Sequence, residues 1–169
     1  MRHWVVGGAV IESGLVGPDD PARVLLVENV RGNGTSDWTP PGGVIDHGES
    51  VTSGLSREVL EETGFSVTGW AGPLYEIEAE APGLEWTLRV EVHRAVALSG
   101  RLIVGADPDG IVVGAEWVDP TECEGRLGGA HPWVREPLLE WLDERWSGSR
   151  MFRYRIEGDR LGDLSIVRR

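Results

Sequence analysis

Residues 43–65 read GVIDHGESVTSGLSREVLEETGF and follow directly on a proline- and glycine-rich turn. Within this stretch Glu58, Glu61 and Glu62 lie three and four residues apart, so on a helix they are surface neighbours. Carboxylates this close repel one another unless a cation lies between them. Mg²⁺ prefers carboxylate, carbonyl and water oxygens as ligands. The stretch therefore predicts a helix that carries a metal site.

A solvated surface is the ordinary explanation of a glutamate-rich helix, and the helical count tests it. At about 100° per residue, Val51, Leu55 and Val59 form the apolar stripe that must face the core. Glu58 and Glu62 fall in the same sector as that stripe, whereas a merely solvated carboxylate would lie on the opposite side. A carboxylate at the edge of a buried stripe is costly unless it is paired or bound to a cation. The pattern favours a metal site over a solvated face.

The same stretch resembles the signature of the Nudix hydrolase family, G-x5-E-x7-R-E-U-x-E-E-x-G-U, in which U is a bulky aliphatic or aromatic residue. No specified position departs from this signature, and the fixed spacing makes the match highly specific. The matching residues are Gly43, Glu49, Arg57, Glu58, Val59, Glu61, Glu62, Gly64 and Phe65. The resemblance leaves the subfamily open.

The resemblance implies a fold and a reaction. The fold is α/β: a Nudix-type α/β/α sandwich with a mixed sheet, in which the signature forms a loop, a helix and a second loop. The reaction is hydrolysis of a nucleoside diphosphate linked to another moiety. Bridging divalent ions would neutralise the phosphates and lower the pKa of a bound water, with Mg²⁺ as the implied ion and Mn²⁺ as its expected substitute.

Residue roles follow from the same resemblance. Glu58 and Glu62 match the principal metal-ligand positions of the family, and the carbonyl of Gly42 matches a backbone ligand. Glu61 matches a position that binds metal, or orients or deprotonates the water, depending on the member. Arg57 matches an arginine that usually pairs with the early glutamate, here Glu49. This pair supports the site by holding the helix against the loop, so neither residue is expected to be the general base.

Composition predicts one cytoplasmic domain. The 169 residues suffice for a sizeable core. No apolar run approaches the ~18–20 residues of a membrane span, and the first ten residues lack a signal-peptide layout. The single cysteine, Cys123, excludes an internal disulfide. A net charge of −12 argues against electrostatic binding of nucleic acid. An anionic substrate, such as the small nucleotide that the resemblance implies, would need bridging cations or a local basic patch.

Alternation and turn residues predict the other elements. The helix of the signature should begin at Ser50 or Glu49 and end at Gly64, since glycine commonly follows the last helical residue. Residues 131–146 have a helical apolar pattern that Pro137 should kink or restart. Residues 31–43 are predicted to be a loop. Strands are predicted at 1–11, 23–30, 66–70, 74–79, 84–98 and 111–118.

The last twenty residues change character. Residues 150–169 contain six arginines and three acidic residues, a net charge of +3 against −12 for the whole chain. We therefore divide the chain into a Nudix domain at 1–149 and a basic extension at 150–169, with a β-hairpin that turns at 158–162. The extension is expected to cover a sheet edge or to form a homodimer contact. A reach to an acidic site or a phosphate is the alternative.

Substrate selectivity must lie outside the signature. Trp38 and Trp86 are candidates to stack on a base, although packing is the ordinary role of a tryptophan. Many family members carry an acidic residue six positions before the aromatic residue of the late strand, here Trp117, but that position is Ile111. Asp109, two residues earlier, and Asp107 could substitute if the loop is shifted, although Asp-Pro-Asp-Gly is also ordinary turn chemistry.

Three functions remain open at this point. The first is a Mg²⁺-dependent pyrophosphohydrolase that acts on an ADP-ribose-like molecule or a nucleotide sugar. The second is a pyrophosphatase that removes modified (d)NTPs from the nucleotide pool. The third is a non-catalytic domain that senses a nucleotide, for which a degraded signature would be expected. The signature here is intact.

Overall fold

Two β-sheets carry the fold in this computed structural model, which describes residues 1–19 and 21–169. In chain order the strands are β1 (Arg2–Val10), β2 (Val24–Val30), β3 (Ser36–Thr39), β4 (Gly42–Val44), β5 (Phe65–Ala81), β6 (Trp86–Gly100), β7 (Val112–Val118), β8 (Arg150–Glu157) and β9 (Ser165–Arg168). The α-helices are α1 (Val51–Thr63), α2 (Cys123–Arg126) and α3 (Pro132–Glu144).

The larger sheet is mixed. Its strand order is β4-β1-β6-β5-β8-β9, and the smaller sheet has the order β3-β2-β7. β1 runs parallel to β6 and β5 runs parallel to β8, whereas the other pairs are antiparallel. Successive residues of a strand point to opposite faces. Accordingly Ala9 and Ile11 pack with the helix α1, and Val10 packs on the side of α3.

The helix α1 forms as the sequence predicts. The Ser50 side chain accepts a hydrogen bond from the amide of Ser53 at 3.2 Å and caps the first turn. Gly64 ends the helix with φ at 79°, a left-handed conformation that favours glycine. Leu55 and Val59 are fully buried and hold α1 against β1 and β5. The α/β/α sandwich with a mixed sheet is confirmed.

The C-terminal hairpin is also present. β8 adds to the sheet beside β5, with Phe152 opposite Ile77 and Tyr154 opposite Ala79. These aromatic side chains are buried in the same core as α3. On the opposite face Arg153 donates to Glu78 at 3.0 Å. The extension therefore covers the β5 edge of its own chain, and its arginines balance acidic residues of the sheet.

Three predicted elements differ from the structure. The predicted loop 31–43 contains β3 and β4, which are too short for an alternating pattern and form because they pair with β2 and β1. The predicted strands 66–70 and 74–79 are one strand, β5, whose pairing with β6 is shifted between Ala71 and Tyr75. Pro137 lies inside the single helix α3 and does not restart it. None of the helices within residues 1–19 and 21–169 is long and apolar enough to cross a membrane.

Glu12 joins the end of β1 to the neighbouring strand β6 and to the helix α3. Its side chain is 6% exposed, and its carboxylate lies 2.7 Å from Arg94 of β6 and 2.6 Å from Arg145 at the end of α3. Burial alone would raise the pKa of this carboxyl group. The hydrogen bonds and charges of Arg145 and Arg94 outweigh burial and lower the pKa below 4.5.

We predict that Glu12→Gln lowers the free energy of unfolding by about 1–2 kcal/mol at neutral pH, since both arginines are partly solvated. A carboxyl group with a lowered pKa stabilises the fold above its ordinary pKa and stops doing so as the pH falls through the folded value. The gap between the variant and the natural chain should therefore shrink below pH 4.5. Urea unfolding at neutral and at acidic pH measures the difference in the free energy of unfolding. Glu124→Gln, a change at an exposed side chain, is the control. A gap that did not change with acidification would contradict this account.

Candidate active site

Glycines allow the backbone of β4 to approach β1 and α1 closely. Gly43 lies opposite Gly7, and Gly42 lies opposite Gly8. A Cβ at Gly42 would overlap the carbonyl oxygen of Gly7, and a Cβ at Gly43 would lie 2.5 Å from the carboxyl group of Glu58. Larger residues here would therefore push the strand away from the helix that carries the glutamates.

Gly54 serves the same contact from the helix side. A Cβ at Gly54 would lie 2.8 Å from Cδ1 of Ile45 and 3.1 Å from Oε1 of Glu49. Glycine in a helix costs about 1 kcal/mol relative to alanine. The close packing at this position accounts for that cost.

Arg57 ties the loop after β4 to the helix. Its Nε and Nη2 donate to the two carboxylate oxygens of Glu49 at 3.1 and 3.0 Å, a bidentate pair. Nη2 also donates to the carbonyl of Val44 at 3.2 Å, and Nη1 donates to Glu58 at 2.9 Å. The hydrogen bonds from Arg57 lower the pKa of Glu49. Both residues therefore remain charged and position the loop.

Glu62 is a buried carboxyl group with a single protein donor within residues 1–19 and 21–169. It is 8% exposed, and its Oε2 accepts a hydrogen bond from the amide of Gly42 at 3.0 Å. Burial, together with the charges of Glu58, Asp107 and Glu61, raises its pKa to about 8 against this hydrogen bond. Burial also raises the pKa of Glu58, despite its contact with Arg57. This side of α1 carries more negative charge than its protein partners balance.

The three glutamates share one surface but do not form a ready-made metal cluster. In the part of the chain that the structure describes, no three histidine, cysteine or acidic side chains are arranged to hold an ion. Glu58 and Glu61 turn towards Arg57, at 2.9 and 3.6 Å, and Glu62 turns towards Gly42. The predicted convergence is thus corrected, because each carboxylate takes the nearest donor. The donor set, oxygens that repel one another at a half-buried surface, still fits a hard divalent ion.

The loop before β7 brings a further carboxylate to this surface. Asp107 is committed to the loop, since its Oδ2 accepts from the amides of Ile111 and Val112 at 3.0 Å each. Asp109 is exposed, and its negative charge contributes to the raised pKa of Glu58. The charges of Asp109 and Asp107 thus both act on glutamates of the signature helix, and Asp107 also has the turn role. A functional role of Asp109 stays a prediction.

The two candidate tryptophans have different surroundings. The guanidinium carbon of Arg126 lies 4.7 Å from the ring centroid of Trp38, so one face of this ring is covered by a cation. Trp86 meets Trp133 edge to face, with 6.3 Å between ring centroids. Both rings pack against the core cluster that contains Trp133, as the ordinary packing role of a tryptophan predicts.

A cavity of about 230 Å³ lies beside the glycines of β1 and β4. Its walls are mostly apolar, and its polar side chains are few. The lining residues that matter most are Val6, Gly42, Tyr75, Leu88, Val92 and Trp133. Apart from Gly42, sequence reasoning did not select these residues. The adjacent pair Gly7-Gly8 inside a strand was a usable signal, because glycine in a strand often marks close backbone approach or a ligand.

Comparisons with known proteins agree with this arrangement. The profile of the NUDIX domain family matches residues 3–142. The oxidized purine nucleoside triphosphate hydrolase of Mus musculus is 47% identical over 47 residues, which are 28% of this chain and 30% of that protein. The putative mutator protein MutT4 of Mycobacterium tuberculosis is 30% identical over 145 residues, 84% of this chain and 55% of that protein. The chain therefore spans about a third and about half of these two relatives.

Solved structures show the same fold. The solution structure of the E. coli ORF135 protein has a TM-score of 0.66 at 20% identity, covering 87% of this chain and 96% of that one. The MutT NUDIX hydrolase from Burkholderia pseudomallei has a TM-score of 0.58 at 26% identity, covering 72% and 86%. Because the family profile spans most of its length and the fold agrees, the chain belongs to the Nudix hydrolase family.

Proposed function

We propose that this protein hydrolyses a phosphoanhydride bond of a nucleotide, with Mg²⁺ held by Glu58, Glu61, Glu62 and the carbonyl of Gly42. The observation that carries the proposal is the buried Glu62 carboxyl group beside Glu58, whose charges lack sufficient protein partners. Members of the family generally need a divalent metal, usually Mg²⁺, and Mn²⁺ should substitute. Metal binding would require Glu58 and Glu61 to turn away from Arg57.

The residues of the chain have separate tasks in this proposal. A bound divalent ion supplies charge neutralisation and a water of lowered pKa. Arg57 and Glu49 fix the position of the loop after β4 relative to the helix α1. This position matters because phosphoryl transfer depends mainly on positioning and electrostatics. Glu61, which is more exposed than Glu62, binds the ion or orients and deprotonates the attacking water. Asp109 is the second candidate for the group that accepts the proton of the attacking water.

For the substrate we propose a nucleoside diphosphate linked to another moiety. The apolar cavity beside Gly42 accepts the base of the nucleotide. Trp133 lines this cavity, and Trp86 packs edge to face against Trp133. A (d)NTP is the second candidate, favoured by the relatives described as an oxidized purine nucleoside triphosphate hydrolase and as a putative mutator protein. The intact glutamates, and the bidentate pair of Arg57 with Glu49 that supports them, disfavour a nucleotide sensor without hydrolytic activity. A cytoplasmic location and a homodimer remain predictions, testable by fractionation and sedimentation.

We predict that Glu62→Gln lowers hydrolysis by about a hundredfold or more, because metal ligands support several kcal/mol of transition-state charge. The assay is a panel with Mg²⁺, namely ADP-ribose, NADH, diadenosine polyphosphates and oxidised dGTP, with phosphate and pyrophosphate release scored separately. Since burial disfavours the charged form of Glu62, the variant should unfold at the same or a higher temperature in metal-free buffer.

Glu124→Gln, an exposed change on α2, serves as the control for that panel. Full activity of Glu62→Gln on every compound would exclude the proposed metal set. Absence of hydrolysis by the natural chain, with one compound raising its melting temperature, would establish the sensor instead.

We further predict that Gly43→Ala weakens the apparent Mg²⁺ affinity by about tenfold, the effect typical of residues that support a ligand. The new methyl group would displace the Glu58 carboxyl group, which lies 2.5 Å from that position. The Mg²⁺ dependence of the melting temperature measures the change. Gly128→Ala is the matched control, because nothing lies within 4 Å of a Cβ there. Equal Mg²⁺ dependence in the two variants would argue against Glu58 as a ligand.

A further inference from the structure

A second apolar depression adjoins the cavity at the glycines. We call it the Trp4 groove; it measures about 270 Å³ and is lined by Trp4, Val6, Val44, Trp86 and Leu88. Val6 and Leu88 also line the cavity, so one wall is common to both spaces. The groove is therefore an extension of the candidate active site along β1.

Strand register explains why these side chains meet. Trp4 lies opposite Leu88 in the parallel pair of β1 and β6, and Val6 lies opposite Val44 in the antiparallel pair of β1 and β4. Alternate residues share one face of a sheet, so the five side chains project from the same face as the cavity. Trp86 contacts Trp133 of the cavity edge to face. A continuous apolar wall thus runs from Gly42 to Trp4.

The groove is open and its lining is chemically uniform. Trp4 is 45% exposed and Val44 is 42% exposed, although single exposed apolar residues are common and would need no explanation. Here the exposed residues are adjacent, and none of the five lining side chains is charged. A sugar or a phosphate would leave its polar groups without partners on such a wall. The face of an aromatic ring leaves no polar group without a partner on this wall, and it stacks on an indole ring.

We propose that the Trp4 groove binds an aromatic ring carried by the moiety that is linked to the nucleoside diphosphate. The first base then occupies the cavity and the second ring stacks on Trp4 and Trp86. The phosphates pass the edge formed by Gly43 and Val44, where β4 faces the glutamates of α1. This inference rests on the proposed function and narrows its substrate class. The substrate is a nucleoside diphosphate joined to a second aromatic ring system, in preference to ADP-ribose or a nucleotide sugar.

The test compares three ligands on Trp4→Ala, Trp4→Phe and the natural chain with Mg²⁺. Diadenosine tetraphosphate has a second aromatic base, ADP-ribose has a second sugar but no second base, and dATP has neither. Stacking of one base contributes enough for a change of about tenfold when the aromatic residue is removed. We expect Trp4→Ala to raise the KM for diadenosine tetraphosphate, relative to that for dATP, by about tenfold. Trp4→Phe should restore most of the difference, and kcat should change little.

Leu161→Ala controls for the loss of an exposed apolar side chain, since Leu161 is 86% exposed and remote from the groove. A natural chain that hydrolyses neither these three compounds nor any other compound of the panel overturns the proposed function, and this inference falls with it. Hydrolysis of other compounds but not of diadenosine tetraphosphate overturns the inference alone. Hydrolysis with an unchanged KM ratio in Trp4→Ala overturns the inference alone. Sedimentation tests whether a second copy of the chain occupies the groove instead. If Trp4→Ala converts a dimer to a monomer and leaves the KM ratio unchanged, the groove is a contact between two copies and the inference is overturned.

Discussion

Close contact between the β4 backbone and the helix α1 is the constraint on which the site depends. The carboxyl group of Glu58 occupies the space where a Gly43 side chain would be, and Glu62 accepts the amide hydrogen of Gly42. The strand can come this near only because both positions lack a Cβ. Leu55 and Val59, which are fully buried, hold the same sector of the helix against the sheet. The glutamates are therefore held at the edge of the core, where their negative charge is poorly solvated.

Arg57 explains how the fold tolerates so much charge in one place. Its guanidinium contacts Glu49, Glu58 and Glu61 and the carbonyl of Val44. One cation cannot balance all the carboxylates of this surface, and the pKa of Glu62 remains raised to about 8 because this group is buried beside other acids. Arg57 therefore stabilises the loop and leaves a residual demand for positive charge. A divalent ion would meet that demand and would at the same time provide the chemistry of the family.

The apolar side of the site is built differently. The cavity and the Trp4 groove both lie on one face of the larger sheet, where β1, β6 and β5 present small, aliphatic and aromatic residues. In the proposed complex, phosphates, which need cations, and rings, which need apolar walls, would find their partners on two sides of the same short strand, β4. This division would give the bond to be cut a fixed position, since different physical interactions would hold the two ends of the substrate.

The sequence alone determined the family, the helix α1 with both of its ends, and the identity of the acidic residues, because these depend on local spacing and capping. It also indicated that Glu62 shares the buried sector, which follows from the helical period. Tertiary structure alone decided three things: that β3 and β4 exist, that Glu58 and Glu61 turn to Arg57 while Glu62 turns to the amide of Gly42, and that Trp4 and Trp86 share a groove with Val44. Short strands and the surroundings of a side chain depend on partners far away in the chain, and no local pattern records them. Glu12 with Arg94 and Arg145 is the clearest case, since its three residues meet only when β1 pairs with β6 and α3 packs against the sheet.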